Sequence, residues 1–82
     1  MNEREKLISV IFISFDQNLY YSIICKNSDR FDTIENKLYD VYSEYSETKN
    51  FFTVNGKRIN KVKTLEYNNI NNNDLIILNY IK

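Results

Sequence analysis

The chain contains a single glycine, and it stands directly after an asparagine in the pair Asn55-Gly56. Asn-Gly is the preferred pair for a two-residue hairpin turn, because both central positions of that turn need a positive φ. The residues before it, FFTV at 51–54, and those after it, at 57–59, suit short extended segments. The pair therefore predicts a tight antiparallel hairpin in the second half of the chain.

A second hairpin is predicted at the start of the chain. The run LISVIFISF at 7–15 is rich in β-branched and aromatic residues and has the length of a strand, as does LYYSIICK at 19–26. Asp16, Gln17 and Asn18 separate the two runs, and Asp and Asn are typical turn residues because they bond their own backbone. A late apolar run, LIILNYI at 75–81, predicts a final strand after the polar loop at 71–74.

Between the hairpins, apolar residues recur in steps of three and four, which predicts a helix of roughly four turns. Its stripe comprises Phe31, Ile34, Leu38, Val41 or Tyr42, and Tyr45. Asn27, Ser28 and Asp29 offer capping side chains, the carboxylates along the helix predict a solvated face, and 64–66 predicts one further helical turn. The order β-β-α-β-β-β, with one helix across one face of a mixed sheet, indicates an α+β roll.

Composition excludes several classes of function. Eleven basic and eleven acidic residues give zero net charge, without the basic excess of a nucleic-acid binder, and no apolar run is long enough to cross a membrane. No histidine and one cysteine leave no metal-ligand set, and one glycine cannot build a phosphate loop, so we expect no cofactor. Cys25 alternates with Tyr21 and Ile23 and is interpreted as a core residue rather than a nucleophile. We therefore expect a non-enzymatic, cytoplasmic domain, since no targeting signal is present.

Five segments, in this order and spacing, resemble ubiquitin and its β-grasp relatives: ISVIFISF (8–15), SDRFDTIENKL (28–38), FFTVNGKRI (51–59), TLEYNNI (64–70) and DLIIL (74–78). The resemblance covers about residues 7–81. It implies a ubiquitin-like domain at 7–82, and the charged residues before it, at 1–6, are interpreted as a flexible tag. The core that it implies consists of Ile8, Val10, Phe12, Tyr21, Ile23, Cys25, Phe31, Ile34, Leu38, Phe52, Ile59, Leu65, Ile70, Ile76 and Leu78.

The resemblance also indicates what differs from ubiquitin. Conjugation in that family depends on a C-terminal Gly-Gly, whereas this sequence ends in Asn79-Tyr80-Ile81-Lys82, which favours a non-conjugating type. The receptor-binding patch of ubiquitin falls on Phe15, Thr53, Ile77 and Asn79, so we expect typical ubiquitin receptors to bind poorly. We therefore expect a non-enzymatic protein–protein interaction module or a small structural subunit of a larger protein assembly. The alternative function is a modifier conjugated through a processed C-terminus.

Strand alternation predicts that the sheet face away from the helix is also apolar. We expect this face to bind another protein or a second copy of the chain through Ile11, Ile13, Phe15, Ile24, Thr53, Leu75 and Ile77, because monomers rarely expose such patches. Two alternatives remain at this point. An A/T-biased genome could scatter isoleucine over the strands, or the register could be shifted by one residue, which would exchange the two faces.

Overall fold

In a computed structural model, which describes residues 5–81, five strands form one mixed sheet and a single helix packs across one of its faces. The strands are β1 (Leu7–Ser14), β2 (Tyr20–Lys26), β3 (Lys49–Val54), β4 (Lys57–Arg58) and β5 (Asp74–Ile81). The helix α1 spans Phe31–Val41 and is followed by a 3-10 segment at Ser43–Glu47. The predicted α+β class and element order are confirmed.

The sheet has the strand order β2-β1-β5-β3-β4, with the first and last strands of the chain side by side at its centre. β1 pairs parallel with β5, from Val10 opposite Asp74 to Ser14 opposite Leu78. The other pairings, β1 with β2, β3 with β5 and β3 with β4, are antiparallel. The mixed character of the sheet therefore comes from its central pair alone.

The core lies between the sheet and α1. Phe12, Phe31 and Phe52 form its centre, with ring centroids 5.0 to 6.0 Å apart. Of the predicted core residues, Tyr21 alone is only partly buried, and its ring packs edge-on against Tyr42 beside the core. Leu19 and Val54, which the resemblance did not place in the core, are buried as well.

The Asn-Gly turn has the predicted backbone. Asn55 has a φ of 51° and Gly56 a φ of 78°, both in the left-handed region that this turn requires. Thr53 pairs with Arg58 and Val54 with Lys57 on either side of it. The pair thus joins β3 to β4 in register.

The start of the helix differs from the prediction. No side chain caps α1, since the Asp29 carboxylate accepts a hydrogen bond from the Lys26 N–H at 2.9 Å and closes a turn after β2. The first helical N–H groups, of Phe31 and Asp32, instead donate to carbonyls of the segment at 61–63, at 3.0 Å each. Backbone groups from a distant loop thus take the role expected of local side chains. In the segment predicted to open one further helical turn, the Asn68 N–H donates to the Thr64 carbonyl oxygen at 3.2 Å, which closes a single such turn.

The far end of the helix also differs. α1 ends at Val41 and is therefore shorter than predicted. Tyr42 and Tyr45 follow the helix, and the 3-10 segment there keeps both rings packed against the core, as the apolar spacing predicts. Glu35, predicted on the solvated face, is only 8% exposed. Its carboxylate accepts hydrogen bonds from the Tyr39 hydroxyl at 2.5 Å and from the Lys61 ammonium at 2.8 Å.

Both ends of the predicted domain organisation lie partly outside the residues that the structure describes. Residues 1–4 of the predicted flexible tag, and Lys82, lie outside the described residues. Lys6 continues the first hairpin, because its N–H donates to the Asn27 side chain and its carbonyl accepts from the Asn27 N–H. The domain boundary at residue 7 stays a prediction.

Candidate protein-binding surface

We call the sheet face opposite α1 the outer face, and one row of paired residues crosses it from edge to edge. Burial alternates along β1, with Val10 and Phe12 in the core and Ile11 and Ile13 on the outer face. The row runs through residues directly opposite one another on adjacent strands: Tyr20, Ile13, Ile77, Thr53 and Arg58. This register excludes the one-residue shift, so the predicted residues do lie on the outer face.

A second, shorter row lies beside the first. Ile11 stands opposite Leu75 on β5 and opposite Ser22 on β2. Ile24 lies further along β2, where it pairs with Ser9 and reaches Ile11 only diagonally. Leu75 is 50% exposed and Ile24 is 73% exposed. The structure therefore brings Ile11, Ile13, Thr53, Leu75 and Ile77 into one contiguous apolar area, with Ile24 at its margin.

Phe15 lies at the end of the outer face, beyond the central row. It follows the last residue of β1, is 86% exposed, and lines a shallow groove with Phe51, Asn79 and Tyr80. This groove lies where β5 continues past the end of β1, so no strand covers it on that side. Phe15 is thus a neighbour of the predicted surface rather than part of its centre.

The sequence interpretation missed Phe51 and Arg58 on the outer face. Phe51 lies opposite Asn79, and the guanidinium carbon of Arg58 stands 4.6 Å from the centre of the Phe51 ring, a cation–π distance. Alternation along β3 could have found Phe51, because it shares the parity of Thr53. The predicted Asn-Gly hairpin also places Arg58 opposite Thr53 on this face, but it does not show that the Arg58 side chain reaches the diagonal neighbour Phe51.

Charge is confined to the rim of the outer face. Arg58 lies on the edge strand β4, and Asp16 lies in the turn after β1, where it lines the same groove as Phe51. The Ser14 hydroxyl and the Asn18 N–H donate to the Asp16 carboxylate, and these bonds hold its pKa below the usual value. Asp16 is therefore ionised at neutral pH. An apolar centre with charges of both signs at its border is typical of a protein-binding surface.

The inner side of the sheet offers no exposed nucleophile at Cys25. Its thiol lies in the core, 3.7 Å from the Ile8 carbonyl oxygen, and burial raises its pKa to about 11. Within residues 5–81, no group of three or more Cys, Asp or Glu residues is arranged to hold a metal ion. No helix in the described part of the chain is long and apolar enough to span a membrane.

Comparison with solved structures identifies the architecture. A protein designed de novo on the basis of ubiquitin matches this chain with a TM-score of 0.77, over 96% of this chain and 92% of the design. The chain has the ubiquitin-like β-grasp fold. The two sequences are only 14% identical, so this ubiquitin-like domain shares an architecture with the design, and the likeness extends to nothing else. No protein-family model and no curated protein matches the sequence.

In this ubiquitin-like domain, three of the positions that the resemblance assigns to the receptor-binding patch of ubiquitin lie side by side. Thr53 and Ile77 are directly opposite each other on β3 and β5, and Asn79 is two residues further along β5 on the same face. The Asn79 side-chain amide donates to the Ile77 carbonyl oxygen at 3.2 Å. The three positions therefore form one group on the outer face, in which the Asn79 side chain is held against its own strand.

Proposed function

We propose that this ubiquitin-like domain is a non-enzymatic, intracellular interaction module that binds another protein through Ile11, Ile13, Ile24, Thr53, Leu75 and Ile77. The observation that supports the proposal most is the edge-to-edge row in which Ile13 and Ile77 stand together at the centre of the outer face. A sheet whose second face contacts water ordinarily carries polar residues there. The helix-facing core does not need these isoleucines, so burial by a partner gives them a role.

Most of the free energy of binding on this surface would come from the burial of apolar area. The central residues lie on strands held by neighbours on both sides, so they are already ordered and lose little conformational freedom on binding. Arg58 and Asp16 at the rim would orient a partner more than they would add affinity. The proposal requires neither conjugation nor a cofactor.

The test compares the proteins captured by three tagged chains. The variant carrying Ile13→Lys and Ile77→Lys places two charges at the centre of the outer face. The matched control carries Val41→Lys and Val62→Lys, which alter two exposed apolar residues, 55% and 59% exposed, away from the sheet. Far-ultraviolet circular dichroism confirms that each chain is folded.

We expect one or more proteins to be retained by the unaltered chain and by the control and to be lost from the outer-face variant. Association of purified components would then weaken by at least about tenfold, the result of placing charges in an apolar contact. Retention of the same proteins by a folded outer-face variant would contradict the proposal.

A further inference from the structure

Strand β2 forms one edge of the sheet. The hydrogen bonds at its end show which of its backbone N–H and C=O groups point away from β1. The Lys26 N–H donates to the Asp29 carboxylate and the Lys26 carbonyl accepts from the Asp29 N–H, so both groups of Lys26 point away from β1. The next residue, Asn27, points toward β1 and bonds to Lys6. Since this direction alternates along a strand, the backbone groups of Tyr20, Ser22 and Ile24 also point away from β1.

This edge carries none of the features that ordinarily protect edge strands from pairing. Between Leu19 and Cys25 there is no charged residue, proline or glycine, and Tyr20 and Ile24 are 68% and 73% exposed. The opposite edge of the sheet differs, because β4 is only Lys57–Arg58, short and doubly charged. Length, charge and proline are the usual means by which natural sheets prevent edge pairing. One edge is therefore protected and the other is open.

We propose that two copies of the chain pair through β2 in antiparallel register about a two-fold axis at Ser22. In this register Ser22 stands opposite Ser22 of the second copy, and Tyr20 stands opposite Ile24 of the second copy. Each of these outward-directed residues then exchanges both backbone hydrogen bonds with its partner. The Tyr–Ile contact, formed twice by symmetry, is an aromatic and β-branched cross-strand pair, and the small serine leaves the axis free of crowding.

Charge at the ends of the strand favours a second copy as the occupant. Beyond Ile24, the exposed Lys26 of each copy comes opposite the Asp16–Asn18 turn of the other. The Asp16 carboxylate is held in that turn by Ser14 and Asn18, so each end of the pairing brings a lysine toward a carboxylate. The chain has zero net charge, so two copies approach without overall repulsion.

The pairing does not depend on the proposed function. It uses the backbone edge of β2 and leaves the central isoleucines Ile13 and Ile77 uncovered. Two outer faces would then lie side by side in one continuous sheet. A ladder this short buries less than the roughly 800 Å² per partner of a standard interface. We therefore expect a reversible, concentration-dependent dimer rather than an obligate one.

The test is sedimentation equilibrium of the full chain, from about 10 µM to 1 mM, a range suited to interfaces below standard size. The single variants Tyr20→Glu and Ile24→Lys each set a charge against an apolar partner and should weaken dimerisation by about tenfold or more. The double variant sets Glu against Lys at both contacts and should dimerise more tightly than either single variant. Within one copy the two positions are about 13 Å apart along the strand, so their charges can pair only between copies.

Two further variants separate edge pairing from other contacts. Ser22→Pro removes the N–H at the axis but suits an edge strand whose N–H faces solvent, and should give a folded monomer. Ile77→Lys alters the centre of the outer face and should leave the dimer intact. A chain that is monomeric throughout the range, a double variant no better than the singles, or a dimer lost through Ile77→Lys would each overturn the proposal.

Discussion

Replacing Lys61 by methionine should lower stability more than any other change to a partly exposed lysine of this domain. The Lys61 ammonium lies 2.8 Å from the Glu35 carboxylate and 2.8 Å from the Asn50 carbonyl oxygen. Glu35 is 8% exposed, and among the described residues its other hydrogen-bond donor is the Tyr39 hydroxyl. Methionine keeps the length and apolar stem of the lysine, so the substitution removes the charge and its hydrogen bonds with little change in packing.

The magnitude follows from these contacts. A hydrogen bond to a charged group contributes roughly 1.5–3 kcal/mol, and leaving Glu35 short of a donor adds to the loss. The Lys61 side chain is 34% exposed, so water screens the ion pair and can reach part of the vacated site. We expect the free energy of unfolding to fall by about 2 kcal/mol, which in a domain of this size lowers the Tm by roughly 10 °C.

Urea denaturation followed by circular dichroism measures the change. Glu35→Gln and the double variant complete a double-mutant cycle, in which Lys61→Met should cost less once Glu35 has lost its charge. Lys37→Met is the matched control, because Lys37 is exposed on the same helix as Glu35, and it should change stability by less than about 0.5 kcal/mol. Equal losses for Lys61→Met in both backgrounds, or a loss no greater than that of the control, would refute the reasoning.

Three further predictions concern single residues. Gly56→Ala should cost about 1 kcal/mol in urea denaturation, because its φ of 78° disfavours a side chain although nothing lies within 4 Å of the added carbon; no loss would contradict the turn geometry. Alkylation of Cys25 at pH 8, followed by mass spectrometry, should be slow when folded and fast in urea, since burial raises the thiol pKa to about 11; rapid native labelling would contradict this. Because folding lowers the pKa of Asp16, its ionised carboxylate stabilises the fold at pH values above the pKa of the unfolded chain, near 3.9. This contribution is lost as the pH falls through the pKa of the folded chain. Asp16→Asn should therefore reduce the difference in stability between pH 6 and pH 3, and an unchanged difference would contradict it.

Features set by neighbouring residues could be predicted from the sequence. The Asn55-Gly56 turn depends on the φ of two adjacent residues, and the outer face depends on alternation along strands whose identity was clear. Ile11 and Ile13 alternate with Val10 and Phe12, which the resemblance assigned to the core, and the burial pattern of β1 confirms that assignment. Whether the outer face binds a partner stays a prediction.

Features set by contacts between distant segments could not be predicted. Glu35 and Lys61 are ordinary surface residue types, and only the folded chain shows that they meet beside Tyr39. Asp29 has a residue type that suits a helix cap, but its carboxylate is taken by Lys26, and carbonyls of the 61–63 loop supply the first bonds to the helix. In both places a tertiary contact replaced the local interaction that the sequence pattern favours.

The parallel pairing of β1 and β5 determines how the domain resists tension. Because the two strands run in the same direction, a pull on Leu7 and Ile81 in opposite directions slides one strand along the other. All the bonds between Val10–Ser14 and Asp74–Leu78 are then strained together, rather than opened one after another as in a hairpin pulled from its ends. Extension along this axis should meet a high mechanical barrier, whereas force applied across the β1–β2 hairpin should peel β2 away at much lower load.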